Sequence, residues 1–239
     1  YFFHQNFPYD IRPQSHEIIR TWAFYTVVKS ALHHNEIPWK NVIISGWVLD
    51  PDRKKMSKSK GNVITPIDTI EQYGSDAVRY WASSARLGTD TTYDENVFVI
   101  GNKLVTKLYN AAKFVLSHES YHTHELTELD SSFMGELSKL VYTVTEHYNR
   151  YQFAQGLQIT EEFFWNTFTD NYLELVKKRV FNSQGDDKAS AVSCLRLGLS
   201  VILRLLSPVM PTITDEIWSW CFSKEYNTVS VSYTHLRAH

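Results

Sequence analysis

The stretch GWVLDPDRKKMSKSKGN, residues 46–62, decides how the rest of the chain is read. Within residues 50–62, Arg53, Lys54, Lys55, Lys58 and Lys60 stand against Asp50 and Asp52, a local excess of three positive charges. The whole chain carries a formal net charge of −2. Just before the cations lies NVIISGWVL, residues 41–49, short, apolar and β-branched between polar neighbours, which predicts a buried parallel strand. A loop at the C-terminal end of such a strand is where open α/β sheets take ligands. Lysines beside small hydroxyl residues suit a polyanion there. Ser57 and Ser59 can donate to phosphate oxygens, Gly61 admits a close backbone approach, and the ammonium groups act as mobile point charges. A lysine cluster of arbitrary order is more often a solvated turn. The order of these residues therefore carries the argument.

Outward from the loop, 239 residues allow one large domain or two ordinary ones with a real core. At 43% hydrophobic and 21% charged, the composition is that of a globular chain rather than a disordered one. Two cysteines, Cys194 and Cys221, form no CxxC pair, so they give neither a disulfide framework nor a zinc site and suit a reducing compartment. No uninterrupted run of about 18 apolar residues suggests a membrane span. The N-terminal YFFHQNFPYDIRPQ is not a signal peptide, and its aromatic cluster reads as the continuation of a longer protein. Near-neutral charge argues against a general nucleic-acid coat while leaving a local basic face possible.

Ser15 is placed to cap a helix through HEIIRTWAFYTVVKSALHHN, with Ile18, Trp22, Tyr25 and Leu32 near one face. After the lysine loop, Thr65 caps, Pro66 takes the first helical position and Asp68 favours the helix's positive end. Gly74 stops that helix, and a second, SDAVRYWASSARLG, runs to Gly88. From Asp94 onward only helical periods follow, over about 95–117, 131–150, 153–181 with a break, 187–206 and 211–221. Short polar connectors between long amphipathic helices predict an antiparallel bundle. The fold class is therefore an α/β remnant followed by an all-α antiparallel helix bundle. The expected domains are 1–91 and 92–225. The last stretch, 226–239, ends in SYTHLRAH, reads as a non-native tail and is expected to have no packing partner.

The string KMSKS, residues 55–59, followed by Gly61-Asn62, resembles the signature of class I aminoacyl-tRNA synthetases. The resemblance extends to PYDIRPQSHEIIRTWAFYT at 8–26, SGWVLDPDRKKMSKSKGNVITP at 45–66 and YGSDAVRYWAS at 73–83. It continues through KLYNAAKFVL at 107–116, FFWNTFTDNYLELVK at 163–177 and ILRLLSPVMPTITDEIW at 202–218. In these stretches the chain is similar to the valyl-tRNA synthetase family, and its wording is nearest to the archaeal-type branch. The resemblance implies a Rossmann-like catalytic remnant, residues 1–91, and an anticodon-binding bundle, residues 92–225. It also implies ATP with Mg2+ as substrate, valine and tRNA(Val) as partners, a cytoplasmic location, a monomeric whole and no metal site within these residues. The histidine motif that shares phosphate handling in the class does not occur here, so residues 1–239 are expected to be inactive alone.

The resemblance makes Lys58 the ATP-contacting, catalytic lysine and Lys55 its supporting cation, within an ATP-binding loop that includes Met56, Ser57 and Ser59. It assigns Gly46, Trp47 and Val48 to the edge that receives adenine, although Trp47 and Val48 serve equally well as core. Glu17 falls where a ribose-binding carboxylate is expected, with Ser15 and His16 in the amino-acid site. Ser15 stands where the class usually has Gly and Glu17 where it has Asp, and capping alone would explain both. Trp22 falls where the family walls the pocket for valine's isopropyl group, or else it is an ordinary core aromatic. For tRNA the matched stretches offer Lys103, Lys107, Asn110, Lys113, Trp165 and Asn166, since exposed loop bases are read by stacking and edge contacts. His118, His122 and His124 read as solvent-exposed, with metal binding remote. Two alternatives stay open: a synthetase for isoleucine or another branched amino acid, and a non-catalytic tRNA-binding relative.

Overall fold

The computed structural model describes residues 6–119 and 125–223. The expected tail at 226–239 and His122 and His124 lie outside them. The chain forms two compact units: residues 1–64 with Ala85–Asp94, and Thr65–Ser84 with the remainder from Glu95.

In the first unit, β1 (Tyr9–Ser15) pairs in parallel with β2 (Trp39–Ser45), so that Tyr9 faces Trp39 and Ser15 faces Ser45. Between them run a 3-10 turn (His16–Ile18), a π-helical turn (Ile19–Ala23) and α1 (Phe24–His34). Ser15 caps as expected, its Oγ accepting from Glu17 N at 3.4 Å. The expected single strand 41–49 is instead two, because β3 (Val48–Leu49) leaves β1 and pairs in parallel with β4 (Thr91–Thr92). Gly46 is where the change occurs. A Cβ there would lie 2.1 Å from Thr89 O, so only glycine lets the two backbones pass. Nor is the segment buried: Val42 and Val48 are exposed, and Trp39 is the one buried hydrophobic residue of this unit among the described residues. Ile18 is half-buried, while Trp22, Tyr25 and Leu32 are exposed, so none of these four enters a core.

The second unit holds the dense core. It comprises α2 (Pro66–Tyr73), α3 (Ser75–Ser84), α4 (Glu95–Leu116), α5 (Glu128–Asn149), α6 (Phe153–Glu162), α7 (Glu174–Asn182), α8 (Asp186–Leu206) and α9 (Pro211–Cys221). The break expected within 153–181 is an eleven-residue π-helical segment, Phe163–Leu173, between α6 and α7. Its wider turn sends Phe164, Phe168, Tyr172 and Leu173 into the core. Helix α8 is long and apolar enough to cross a membrane by length and composition, but 83% of that stretch is buried inside the protein. Its burial identifies it as the axis of the bundle rather than a span. Its Leu199, Ile202, Leu203 and Leu206 share one core with Phe133, Phe168 and Trp218.

The structure divides the chain differently from a single boundary near Thr91, because Thr65–Ser84 groups with the helices. Helix α3 supplies the reason. Tyr80 is buried in the helical core. Asp76 caps α9, accepting from Thr212 N at 3.2 Å and Ile213 N at 2.7 Å. Arg79 donates to Val209 O at 2.9 Å and Pro208 O at 2.8 Å. Helix α3 ends at Ser84, short of the expected Gly88, whose N–H donates instead to Ile44 O at 2.9 Å. At the start of α2, Thr65 donates to Asp68 Oδ2 at 3.1 Å and makes no side-chain cap to a backbone N–H.

A deeply buried ion cluster ties α5, α7 and α8 together. Asp130, fully buried, receives two bonds from Arg179, at 3.1 Å and 2.8 Å, one from Tyr172 Oη at 2.7 Å, and others from Ser190 Oγ and Thr127 Oγ1. Burial alone would raise its pKa. The hydrogen bonds from Arg179, Ser190, Tyr172 and Thr127 outweigh that and hold the carboxyl below its ordinary value. Cys194 lies beside this cluster, its thiol pushed up to about 11, chiefly by burial.

Candidate nucleotide site and helical groove

The lysine loop leaves the C-terminal end of β3, turns, and comes back. Arg53 adopts φ 62° at the turn, Asp50 N donates to Lys54 O at 2.9 Å, and Lys55 forms an antiparallel bridge with Leu49. Ser57 to Gly61 then make a 3-10 turn over Lys58–Lys60, closed by Gly61 at φ 67°. Lys58 is exposed and has no ion pair among the described residues. Ser57 Oγ and Ser59 Oγ lie 3.2 Å apart, so two of the predicted phosphate donors stand side by side.

Lys55, by contrast, is paired. Its Nζ is 2.5 Å from Glu17 Oε1 and 4.5 Å from the centre of the Trp47 ring. Trp47 Nε1 donates to the other Glu17 oxygen at 3.2 Å, and His16 packs on the same indole at 4.8 Å. Lys55, first by its hydrogen bond and also by its charge, holds the Glu17 carboxyl below its ordinary value. Thus Glu17, His16, Trp47 and Lys55 form one cluster. Trp47 N–H donates to Asp90 Oδ1 at 2.8 Å, and Trp47 O and Leu49 O accept from Thr91 N and Tyr93 N, each at 2.8 Å. In that parallel register the backbone groups of Val48 turn to the side away from β4. Gly46 serves the backbone crossing described above.

Trp22 is placed elsewhere. It is 68% exposed and, with Tyr25, Lys29 and His33, lines a cavity of about 610 Å3 that neither Ser15 nor His16 lines. Core aromatic is thus the wrong description of Trp22, and the structure does not join it to the other two expected amino-acid contacts. Met56 is half-buried in the loop.

Among the expected tRNA contacts, Lys103, Lys107, Asn110 and Trp165 line one groove of about 430 Å3 with Val99, Asn102 and Thr106. Lys107 Nζ lies 5.1 Å above the Trp165 ring and 3.1 Å from Asp170 Oδ1. The indole is fixed from behind: Trp165 Nε1 donates to Glu161 Oε1 at 3.3 Å, and Tyr80 Oη donates to Glu161 Oε2 at 2.7 Å. Lys113 and Asn166, both exposed, do not line this groove; Lys113 Nζ sits 5.1 Å over Tyr109. His118 is not solvent-exposed as expected but half-buried, its ring edge-on to Phe114 and Phe181 at 5.3 Å and 5.4 Å. That burial, with Lys188 nearby, lowers its pKa. Among the described residues, no group of three or more His, Cys, Asp or Glu side chains is arranged to hold a metal.

Sequence reasoning passed over Asp50, Asn62 and Asp90, which hold the loop and its strand in place. The available signals were weak: an Asp before Pro at a strand's end, and the Asn that closes the motif.

Residues 2–94 match the tRNA synthetases class I (I, L, M and V), and residues 130–236 match the anticodon-binding domain of tRNA ligase. The fold resembles Mycobacterium tuberculosis methionyl-tRNA synthetase in complex with methionyl-adenylate, with a TM-score of 0.74 at 24% identity over 90% of this chain and 44% of that one. By these matches the chain is similar to a class I synthetase catalytic domain over residues 2–94 and to a tRNA-ligase anticodon-binding domain over residues 130–236. More narrowly, it is a homologue of valine–tRNA ligases. It is 50% identical to that of Thermobifida fusca over 91% of this chain and 25% of the relative. It is also 50% identical to that of Wolbachia pipientis wMel, over 93% of this chain and 26% of the relative. The chain thus spans about a quarter of the length of the curated relatives it matches.

Proposed function

We propose that these residues are part of an ATP-dependent valine–tRNA ligase, which joins valine to ATP as valyl-adenylate and then passes the valyl group to tRNA(Val). In this reading residues 1–91 belong to the catalytic domain and 92–225 to the anticodon-binding domain; the family match runs on to residue 236, into the stretch 226–239 read from sequence as a non-native tail. The whole enzyme works as a cytoplasmic monomer of the archaeal-type branch, which also occurs in some bacteria. The relatives compared above are bacterial valine–tRNA ligases. Residues 1–239 alone, without the class's histidine motif, are inactive.

The observation that carries the reading is the exposed Lys58, without an ion pair among the described residues, beside paired serine hydroxyls on a turn past the end of a parallel strand. ATP arrives as its Mg2+ complex, the metal being part of the substrate. As valine's carboxylate attacks the α-phosphorus, charge builds on the departing pyrophosphate. Lys58, with Ser57 and Ser59, meets that charge as it develops, so the contact lowers the barrier rather than merely tightening binding. Lys55 is the second cation, released from Glu17 when the nucleotide enters, and Met56 spaces the two lysines. Glu17 then accepts from ribose hydroxyls, while Gly46, Trp47 and Val48 form the adenine edge, Val48 offering its outward backbone groups. Ser15, His16 and Trp22 face valine, Trp22 as a flat wall. Such a wall rejects larger side chains by shape but discriminates weakly among similar ones, for which valine against threonine is the standard illustration. On the bundle, Lys103, Lys107, Asn110 and Trp165 take anticodon bases and phosphates, with Lys113 and Asn166 as outer contacts.

In the full-length protein, Lys58→Ala slows valine-dependent ATP–pyrophosphate exchange by about 10²–10³-fold, the usual loss when one preorganised charge-stabilising donor is removed. An unchanged exchange rate would end this assignment. Activity with isoleucine in place of valine would favour the branched-chain alternative.

A further inference from the structure

We propose that Asn62 is a positioning residue for the lysine loop, its carboxamide fastening Lys55 and Ser57 to Asp50 so that the cations stand in place before any nucleotide arrives. The inference rests on the reading of the loop as a phosphate site. Asn62 makes three hydrogen bonds with its side chain. Nδ2 donates to Asp50 Oδ2 at 2.7 Å and to Lys55 O at 3.3 Å, and Oδ1 accepts from Ser57 N at 3.0 Å. Both amide protons and one acceptor site are thereby used, each by a different point of the loop, which fixes the orientation of the amide.

Asp50 is the anchor. It is only 7% exposed, and its second oxygen accepts from Lys54 N at 2.8 Å. The Lys54 N–H first, and then the Asn62 amide, hold its carboxyl below its ordinary value, so it is ionised throughout the neutral range. Asp50 and Asn62 stand at the two ends of the cationic stretch, and their contact closes it at the base. The lysines themselves supply no such closure: Lys55 is drawn to Glu17, and Lys58 has no ion pair among the described residues. Asn62 touches the backbone at 55 and 57 and so acts on Lys55 and Lys58 through the chain.

The chemistry of the amide gives a sharp test. Asn62→Asp keeps nearly the same size, but it sets a carboxylate against the Asp50 carboxylate and the Lys55 carbonyl. Exchanging the two residue types restores most of the pattern. The carboxamide now at position 50 accepts from Lys54 N and donates to the carboxylate now at position 62. That carboxylate in turn accepts from Ser57 N. The bond to Lys55 O is lost.

The measurement is valine-dependent ATP–pyrophosphate exchange by the full-length protein, with melting temperature recorded for each variant. Asn62→Asp and Asn62→Ala lower kcat by about 10–10²-fold, the scale of an ångström-sized misplacement of catalytic groups. The KM for valine and the melting temperature stay where they were. The double variant Asp50→Asn/Asn62→Asp recovers most of the loss. Parental kcat in Asn62→Asp and Asn62→Ala overturns the proposal. So does a double variant no better than Asn62→Asp, or a loss that tracks a fall in melting temperature. Lys58→Ala serves as the reference: if it too is harmless, the phosphate reading itself fails; if it alone is harmful, only the role of Asn62 falls.

Discussion

Two carboxylate–cation pairs, one in each unit, show the protein treating charge in opposite ways. Asp130 and Arg179 lie in the helical unit with side-chain exposures of 0% and 19%, and their remaining lone pairs and protons are taken by Tyr172, Ser190, Thr127 and Asp187. Glu17 and Lys55 lie in the α/β unit with exposures of 51% and 44%, over the face of an indole. A buried pair cannot separate without stranding a charge in the interior. A solvated pair is held weakly and exchanges partners readily. The first is a fixture of the bundle. The second can be given up to a ligand.

The largest effect expected from this contrast is on the fixture. Arg179→Met leaves Asp130 buried without its cation and costs about 3–5 kcal/mol of folding stability, read from denaturant melts of the bundle. The pH dependence follows from the lowered Asp130 pKa. Its contribution is complete above the ordinary carboxylate range and is lost as pH falls through the folded value. Without Arg179 the carboxyl protonates at a higher pH, so the deficit of the variant is greatest near neutrality and narrows on acidification. A deficit that grows in acid would contradict the fixed-pair picture.

Lys107, paired with Asp170 on the surface of the same unit, belongs with the exchangeable kind. Lys107→Ala changes stability by less than about 1 kcal/mol. It lowers the slope of log affinity against log salt for tRNA(Val) by about one. An unchanged salt slope would end the assignment of Lys107 to RNA binding. The smallest effect is expected at the other exchangeable pair. Glu17→Gln leaves the melting temperature unmoved and raises the KM for ATP only a few-fold, because under the proposed role it removes a ribose acceptor while also freeing Lys55. A large loss of stability there would show that this pair is structural after all.

The helical half was readable from sequence almost to its ends, because its signals are local. Apolar periodicity placed 95–117, 187–206 and 211–221 within a residue or so of α4, α8 and α9. The break in 153–181 was visible as an interruption, but its π-helical form depends on how Phe164, Phe168 and Tyr172 pack, which no short window contains. The lysine loop was legible as a string. Its fastening was not, since Asp50, Lys55, Ser57 and Asn62 meet only through the fold of a turn. Most of the Asp130 cluster was hidden, because Tyr172, Arg179 and Ser190 lie 42 to 60 positions from Asp130 and only Thr127 is near it in sequence. Strand 41–49 misled because an apolar run fits one long strand as well as two short ones, and only the crossing at Gly46 decides between them.

That crossing constrains how the α/β unit can vary. The smallest possible side chain at position 46 would have to share space with a peptide oxygen. Trp47, the shelf on which Lys55 rests, therefore owes its setting to an atom that is missing from its neighbour. Hydrogen in place of methyl fixes the height of the indole, and through it the resting place of a cation at the tip of a flexible stem.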